Sequence, residues 1–276
     1  MKRSFKFLGE EVASANRDRI YVVPVPIEWS TSYLSGTVFA PERILSSSRQ
    51  IELYNSSLDV DLEGAGIVTI EDELKNEKKL KDWVAKNRKI LLDALPCFIG
   101  GEHSITPWII DSLDLENIGI VWFDAHADMR ESYEGNTQSH ACSARNSLKF
   151  GPMVQIGVRS YSIEEKKFIE TRGDLKTFRK FDVEFTKAIV SLPEKVYLSF
   201  DFDAVDPSLI PAVGTPEPDG LSWREIMQAF EFVFSQKKVV AVDFVELCPR
   251  DGDETSNFMS AKIVYEAISY YLKFQQ

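Results

Sequence analysis

Short, nearly unbroken apolar runs alternate with longer amphipathic stretches along this chain, and the alternation predicts strands and helices taking turns. The candidate strands cover residues 20–27, 66–70, 96–99, 118–123, 153–158, 177–181, 196–200 and 239–245. Several are apolar almost throughout, as strands buried on both faces of a parallel sheet tend to be. Helical spacing lies between them, at Leu80, Trp83, Val84, Leu91 and Leu95, at Ile226, Ala229, Phe230 and Val233, and at Ala261, Val264, Tyr265, Ile268 and Leu272. Ser222 with Glu225 has the capping-box spacing that starts the second of these helices. The expected fold is therefore α/β, a parallel sheet with helices on both faces, which binds ligands beyond the carboxyl ends of its strands.

Those strand ends are where the reactive residues sit. Gly100-Gly101-Glu102-His103-Ser104 follows one strand, Asp124-Ala125-His126-Ala127-Asp128 a second, Asp201-Phe202-Asp203 a third and Glu246 a fourth. The chain has only 3 histidines, and two of them lie in these segments; the third, His140, comes twelve residues after Asp128. Side chains two positions apart on an extended segment point the same way, so Asp124, His126 and Asp128 can aim at one centre, as can Asp201 and Asp203. With His103 this gives four carboxylates and two imidazoles, too many for one ion and suited to two, with Asp124 and Asp201 as bridging groups. Mostly oxygen ligation with one imidazole per ion favours manganese over zinc, with iron, cobalt and nickel also compatible. Two such ions close together activate water for hydrolysis.

Composition narrows the reading further. The chain has 276 residues, 44% hydrophobic and 27% charged, without repeats or low-complexity linkers, which predicts a single domain over 1–276. Its net charge of −11 argues against a nucleic-acid or membrane surface and is compatible with a small cationic ligand. No apolar stretch has the length of a leader or a membrane span, and Cys97, Cys142 and Cys248 are odd in number and widely spaced, as reduced thiols are. A cytoplasmic protein is expected.

In order and spacing these segments resemble the arginase and agmatinase superfamily of ureohydrolases, whose members carry GG[DE]HS, DAHxD, SxDxDxxDP and ExxP. Here these read as residues 100–104, 124–128, 199–207 and 246–249, and the likeness extends from Pro24 to the end, including Thr31-Ser32-Tyr33, Gly36-Thr37 and Gly214-Thr215-Pro216-Glu217-Pro218. The resemblance implies a three-layer α/β/α fold with an eight-stranded parallel sheet, two manganese ions per chain, and hydrolysis of a guanidine to urea and an amine. It implies one ion on His103, Asp124, Asp128 and Asp201, and the other on Asp124, His126, Asp201 and Asp203. It further implies Glu246 as the acid that pairs with the guanidinium, His140 as the proton shuttle, and a homo-oligomer, trimer or hexamer.

The loop after DAHxD, from Met129 to Asn136, looks like that of prokaryotic agmatinases rather than the Asn- and Ser-containing loop of arginases. Glu131, Tyr133 and Glu134 are the expected contacts of the substrate tail, the glutamates offering charge to a terminal amine and repelling an α-carboxylate. Arg130 either accepts a carboxylate or pairs with a neighbouring glutamate. Asp219 stands where related sequences often have glycine, and Cys248 lies two residues beyond Glu246. Agmatine is the expected substrate. Arginine, guanidinobutyrate, aminopropylagmatine and formiminoglutamate, or a metal-binding scaffold without catalysis, are the alternatives.

Overall fold

The computed structural model describes residues 5–13 and 19–275; residues 1–4, part of the start weighed above for a leader, lie outside them. In chain order the elements are β1 (Ile20–Val25), α1 (Ala40–Ser48), β2 (Tyr54–Asn55), β3 (Val60–Asp61), β4 (Ile67–Thr69), α2 (Glu77–Leu92), β5 (Leu95–Gly100), α3 (Ile105–Leu113) and β6 (Ile118–Phe123). There follow α4 (Ser143–Ser147), β7 (Met153–Ile156), α5 (Ile163–Glu170), β8 (Leu175–Phe178), α6 (Val183–Ser191), β9 (Lys195–Asp201), α7 (Trp223–Gln236), β10 (Lys238–Val245) and α8 (Glu254–Phe274). All eight expected strands are present in one sheet of order β4-β1-β5-β10-β9-β6-β7-β8, with each neighbouring pair parallel. The short strands β2 and β3 form a separate antiparallel pair.

Alternation along each strand sends neighbouring side chains to opposite faces. Val22, Ile99, Phe123, Leu198, Phe200 and Phe244 pack with α1, α6, α7 and α8 on one side. Val23, Phe98, Trp122, Tyr197 and Val245 pack with α2 and α3 on the other. The result is three layers, helix, sheet and helix, with the central strands buried on both faces. Leu95, which fits the spacing of α2, instead opens β5. It precedes Pro96, and the residue before a proline is steered out of the helical region. The capping box expected at Ser222 and Glu225 is formed, with both reciprocal hydrogen bonds present.

One close approach matters for the site. Beyond β5, Gly101 donates its N–H to Val25 O at 3.0 Å, and its carbonyl accepts from Glu246 N at 2.7 Å. A Cβ on Gly101 would stand 2.1 Å from Ile27 O, so only glycine lets the chain ends beyond β1, β5 and β10 meet this tightly.

Candidate active site

The strands β5, β10, β9 and β6 are neighbours in the sheet, so their carboxyl ends bring His103, Glu246, Asp201, Asp203 and the 124–128 segment together. His103 Nδ1 lies 3.1 Å from Asp201, 3.4 Å from Asp124 and 3.6 Å from Asp128. His126 Nδ1 lies 2.8 Å from Asp203 and 3.8 Å from Asp124. Among the described residues two groups have the spacing to hold a metal ion, His103 with Asp124 and Asp128, and Asp124 with His126 and Asp203. Asp124 belongs to both, the position a bridging carboxylate takes. The backbone assists: Asp124 accepts from His126 N at 2.6 Å, Asp203 from Ala125 N at 2.8 Å, and Asp201 from Asp203 N at 2.7 Å. Asp128 and Glu246 have φ of 51° and 67°, left-handed values that few non-glycine residues adopt and that cluster at functional sites.

The chemistry of His103 shows what the cluster is built for. Ser199 Oγ donates to Asp243 Oδ1 at 2.6 Å, so its only proton is committed and it accepts from His103 Nε2 at 2.8 Å. The ring proton is therefore on Nε2, and Nδ1, buried and without a hydrogen-bond partner, turns its lone pair toward three carboxylates. Lone pair against carboxylate is repulsive unless cations lie between, and a ligating imidazole usually donates its other N–H in this way. Burial pushes Asp128 and Asp201 well above the usual carboxylate range, and the neighbouring acids add to it; burial raises Asp124 as well. Burial also works against ionised Asp203, but His126 and the Ala125 amide outweigh it and hold the carboxyl low. The matching effect on His126, where burial is again overcome by Asp203, raises the imidazole to about 9. Buried acids that cannot all ionise together, around an unprotonated nitrogen, fit a pair of divalent cations.

Supporting groups that the sequence pattern did not single out complete the cluster. Asp243 accepts from Tyr197 at 2.5 Å and Thr106 at 2.8 Å as well as from Ser199. Trp122 donates to Asp124 Oδ2 at 2.8 Å and stacks on the His103 ring, the centroids 4.2 Å apart. The Glu246 side chain accepts from His103 N at 2.7 Å; burial and then Glu102 push its carboxyl well up.

The cluster opens into a cavity of about 340 Å³ lined by His126, Asp128, Asp201, Asp203 and Glu246, with His140, Arg130, Glu165 and the tyrosines 33, 133 and 161 around them. His140 starts a 3₁₀ turn and is not among the residues spaced to hold a metal. The acidic loop needs correction. Glu131 is 85% exposed and reaches Arg145 at 3.6 Å, away from the cavity. Glu134 and Gly135, both at positive φ, form the tip of a two-residue hairpin closed by Tyr133 and Asn136, and this geometry carries Glu134 into solvent. Only Tyr133 of the three expected tail contacts lines the cavity.

Beside the carboxylate cluster, the cavity wall carries one more acid, Glu165, a capping-box residue of α5 that also accepts from Met129 N at 3.0 Å. It pairs with Arg130 at 3.9 Å, while the guanidinium lies 5.2 Å from the centre of the Tyr133 ring. Arg130 thus has a glutamate partner, but one distant in sequence rather than a neighbouring glutamate of its own loop. Asp219 pairs with Arg179 and Lys180 at φ of 62°, which is why glycine suits that position, and Cys248 is buried against Ser35 O at 3.3 Å.

Comparison with known proteins agrees with this geometry. The Arginase family model matches residues 18–269. An N(1)-aminopropylagmatine ureohydrolase of Synechocystis is 33% identical over 96% of this chain and 94% of its own length. An agmatinase of Pyrococcus horikoshii is 36% identical over 91% and 92%. The crystal structure of agmatine ureohydrolase of Thermoplasma volcanium superposes with a TM-score of 0.84 at 28% identity, over 99% of this chain and 96% of that one. Fold, carboxylate cluster and likeness over nearly the whole length lead to one conclusion: the chain belongs to the arginase family, as a ureohydrolase.

Proposed function

We propose that the chain hydrolyses agmatine, or a guanidine with a similar cationic tail, to urea and an amine, putrescine in the case of agmatine, with two manganese ions per chain. The observation that carries this reading is a single cavity in which Glu246 and His140 face the carboxylate and imidazole cluster. His103, Asp124, Asp128 and Asp201 would hold one ion, and Asp124, His126, Asp201 and Asp203 the other; together the ions would supply Lewis acidity and an activated water. Glu246, anchored by the His103 amide, meets the planar guanidinium in paired hydrogen bonds, and the cation relieves the cost of a buried carboxylate. His140 carries a proton to the departing amine, a transfer worth roughly 10²- to 10⁴-fold in rate.

The wall of the cavity supports a cationic tail. Glu165 adds negative charge, and the nearby Arg130 is engaged by Glu165 and Tyr133, so an α-carboxylate would meet an acidic surface. A second reading, N(1)-aminopropylagmatine as substrate, is favoured by the likeness to ureohydrolases of that name in Synechocystis and, at 34% identity, in Thermus thermophilus. We further propose a cytoplasmic protein that assembles as a homo-oligomer, a trimer or hexamer. Urea release by manganese-loaded protein on agmatine, aminopropylagmatine, arginine and guanidinobutyrate tests the substrate. A higher kcat/KM for either guanidine with a carboxylate overturns the reading of the tail.

A further inference from the structure

Glu102 is fully buried, and most of its side-chain contacts are to the chain that follows β1. Its Oε2 accepts from Trp29 N at 2.8 Å and Ser30 N at 2.7 Å, and its Oε1 from Ser30 Oγ at 2.7 Å and Ser104 Oγ at 2.5 Å. Four donors converge on one carboxylate, so the Ser30 hydroxyl spends its only proton there. The lone pairs of Ser30 Oγ then face His140. They accept the His140 backbone N–H at 3.0 Å and stand 3.3 Å from Nδ1 of the same residue.

With the hydroxyl proton engaged on Glu102, the contact to the ring is attractive only if Nδ1 carries a hydrogen. Ser139 Oγ is also 3.3 Å from Nδ1, but its hydroxyl rotates freely and follows the ring rather than setting it. Among the described residues none hydrogen-bonds to Nε2 of His140, which lines the cavity. We propose that Ser30, held by Glu102, is a positioning residue for proton transfer, fixing His140 as its Nδ1–H tautomer so that the Nε2 lone pair is left for the reaction. Nε2 can then take up a proton and release it to the leaving amine, while Nδ1–H stays bonded to Ser30 throughout. This rests on His140 being the proton shuttle. The role is specific to the hydroxyl, because a methyl group at Ser30 would leave Nδ1 free to lose its hydrogen to Nε2.

The test is a double-mutant cycle of Ser30→Ala and His140→Ala on manganese-loaded protein, with Ser30→Thr as the conservative variant and agmatine as substrate. Ser30→Ala should lower kcat by about 10-fold or more, a part of the roughly 10²- to 10⁴-fold of acid–base assistance, with KM and metal content little changed. Ser30→Thr should recover most of that loss, and Ser30→Ala should add nothing in the His140→Ala background. The same factor lost in both backgrounds overturns the proposal. Histidine-selective ¹⁵N NMR of the metal-free parent supplies a readout independent of activity. The His140 ring, identified among three by its loss in His140→Ala, should be protonated on Nδ1, and an Nε2–H ring overturns the assignment. If His140→Ala leaves kcat intact, the shuttle reading fails while the NMR result still decides whether Ser30 sets the ring.

Discussion

Ser199→Ala removes one hydroxyl and no charge, yet it should weaken the metal centre. Two buried hydrogen bonds go with it, His103 Nε2–H to Ser199 at 2.8 Å and Ser199 to Asp243 at 2.6 Å. An orphaned buried N–H costs about 1–3 kcal/mol and a lost bond to a carboxylate about 1.5–3 kcal/mol, so the metal-free protein should lose about 2.5–6 kcal/mol. Asp243 keeps Tyr197 and Thr106, which limits the damage to this end of the network. The ring of His103 is then free to move its proton to Nδ1, toward the three carboxylates, and a cation must displace it. Loss of such a partner behind a ligating imidazole typically weakens metal affinity about 10- to 100-fold, or about 1.4–2.7 kcal/mol. Manganese titration against a competing chelator measures this directly, and the metal-induced gain in thermal stability should shrink by the same free energy. Ser147→Ala is the control, since its buried hydroxyl has no hydrogen-bond partner and its removal should be near neutral. A folded Ser199→Ala protein with manganese affinity within about twofold of the parent would refute the tautomer argument, because the effect expected is at least about 10-fold.

Two more outcomes follow from the site. Asp124→Ala should strip manganese from both positions whereas Asp128→Ala should retain about one ion per chain by elemental analysis, since Asp124 belongs to both ligand groups and Asp128 to one; equal losses would count against the bridging role. Neutralising Glu131 and Glu134 together should leave KM for agmatine within about twofold, because exposed charges of this kind are worth little; a large rise would return the tail to those glutamates.

Much of the sheet was legible because strands buried on both faces leave continuous apolar runs that no amphipathic helix produces. The helices were less so. Nearly all of α3 is buried, so the sequence Ile-Thr-Pro-Trp-Ile-Ile-Asp-Ser-Leu carries no polar face to reveal a period. The helices α5 and α6 span 8 and 9 residues, too few turns for a pattern to stand out, and β2 and β3 have 2 residues each. In the site, the ligand candidates were legible because alternation within one strand end is a local property. Glu165 was not, because its cap at the start of α5 and its place in the cavity wall depend on the 129 segment folding back over it. Glu131 and Glu134 misled for the converse reason: charge is read from sequence, but the pairing with Arg145 decides where Glu131 points and a hairpin tip at positive φ where Glu134 does.

The two serines behind the histidines explain a deeper limit. An imidazole has two nitrogens of nearly equal chemistry, and no residue pattern says which one bears the proton. Here each choice is made by a serine whose own proton is taken by a buried carboxylate. Ser199, committed to Asp243, receives Nε2–H of His103 and leaves Nδ1 for a cation. Ser30, committed to Glu102, faces Nδ1 of His140 and leaves Nε2 for the substrate. On the proposed function the same device yields a ligand in one case and a proton carrier in the other. The partners lie far apart in the chain, 44 residues between Ser199 and Asp243 and 110 between Ser30 and His140, so only the folded sheet brings each pair together. A serine next to a buried acid looks unremarkable in sequence, and its weight comes from the direction in which one hydrogen points.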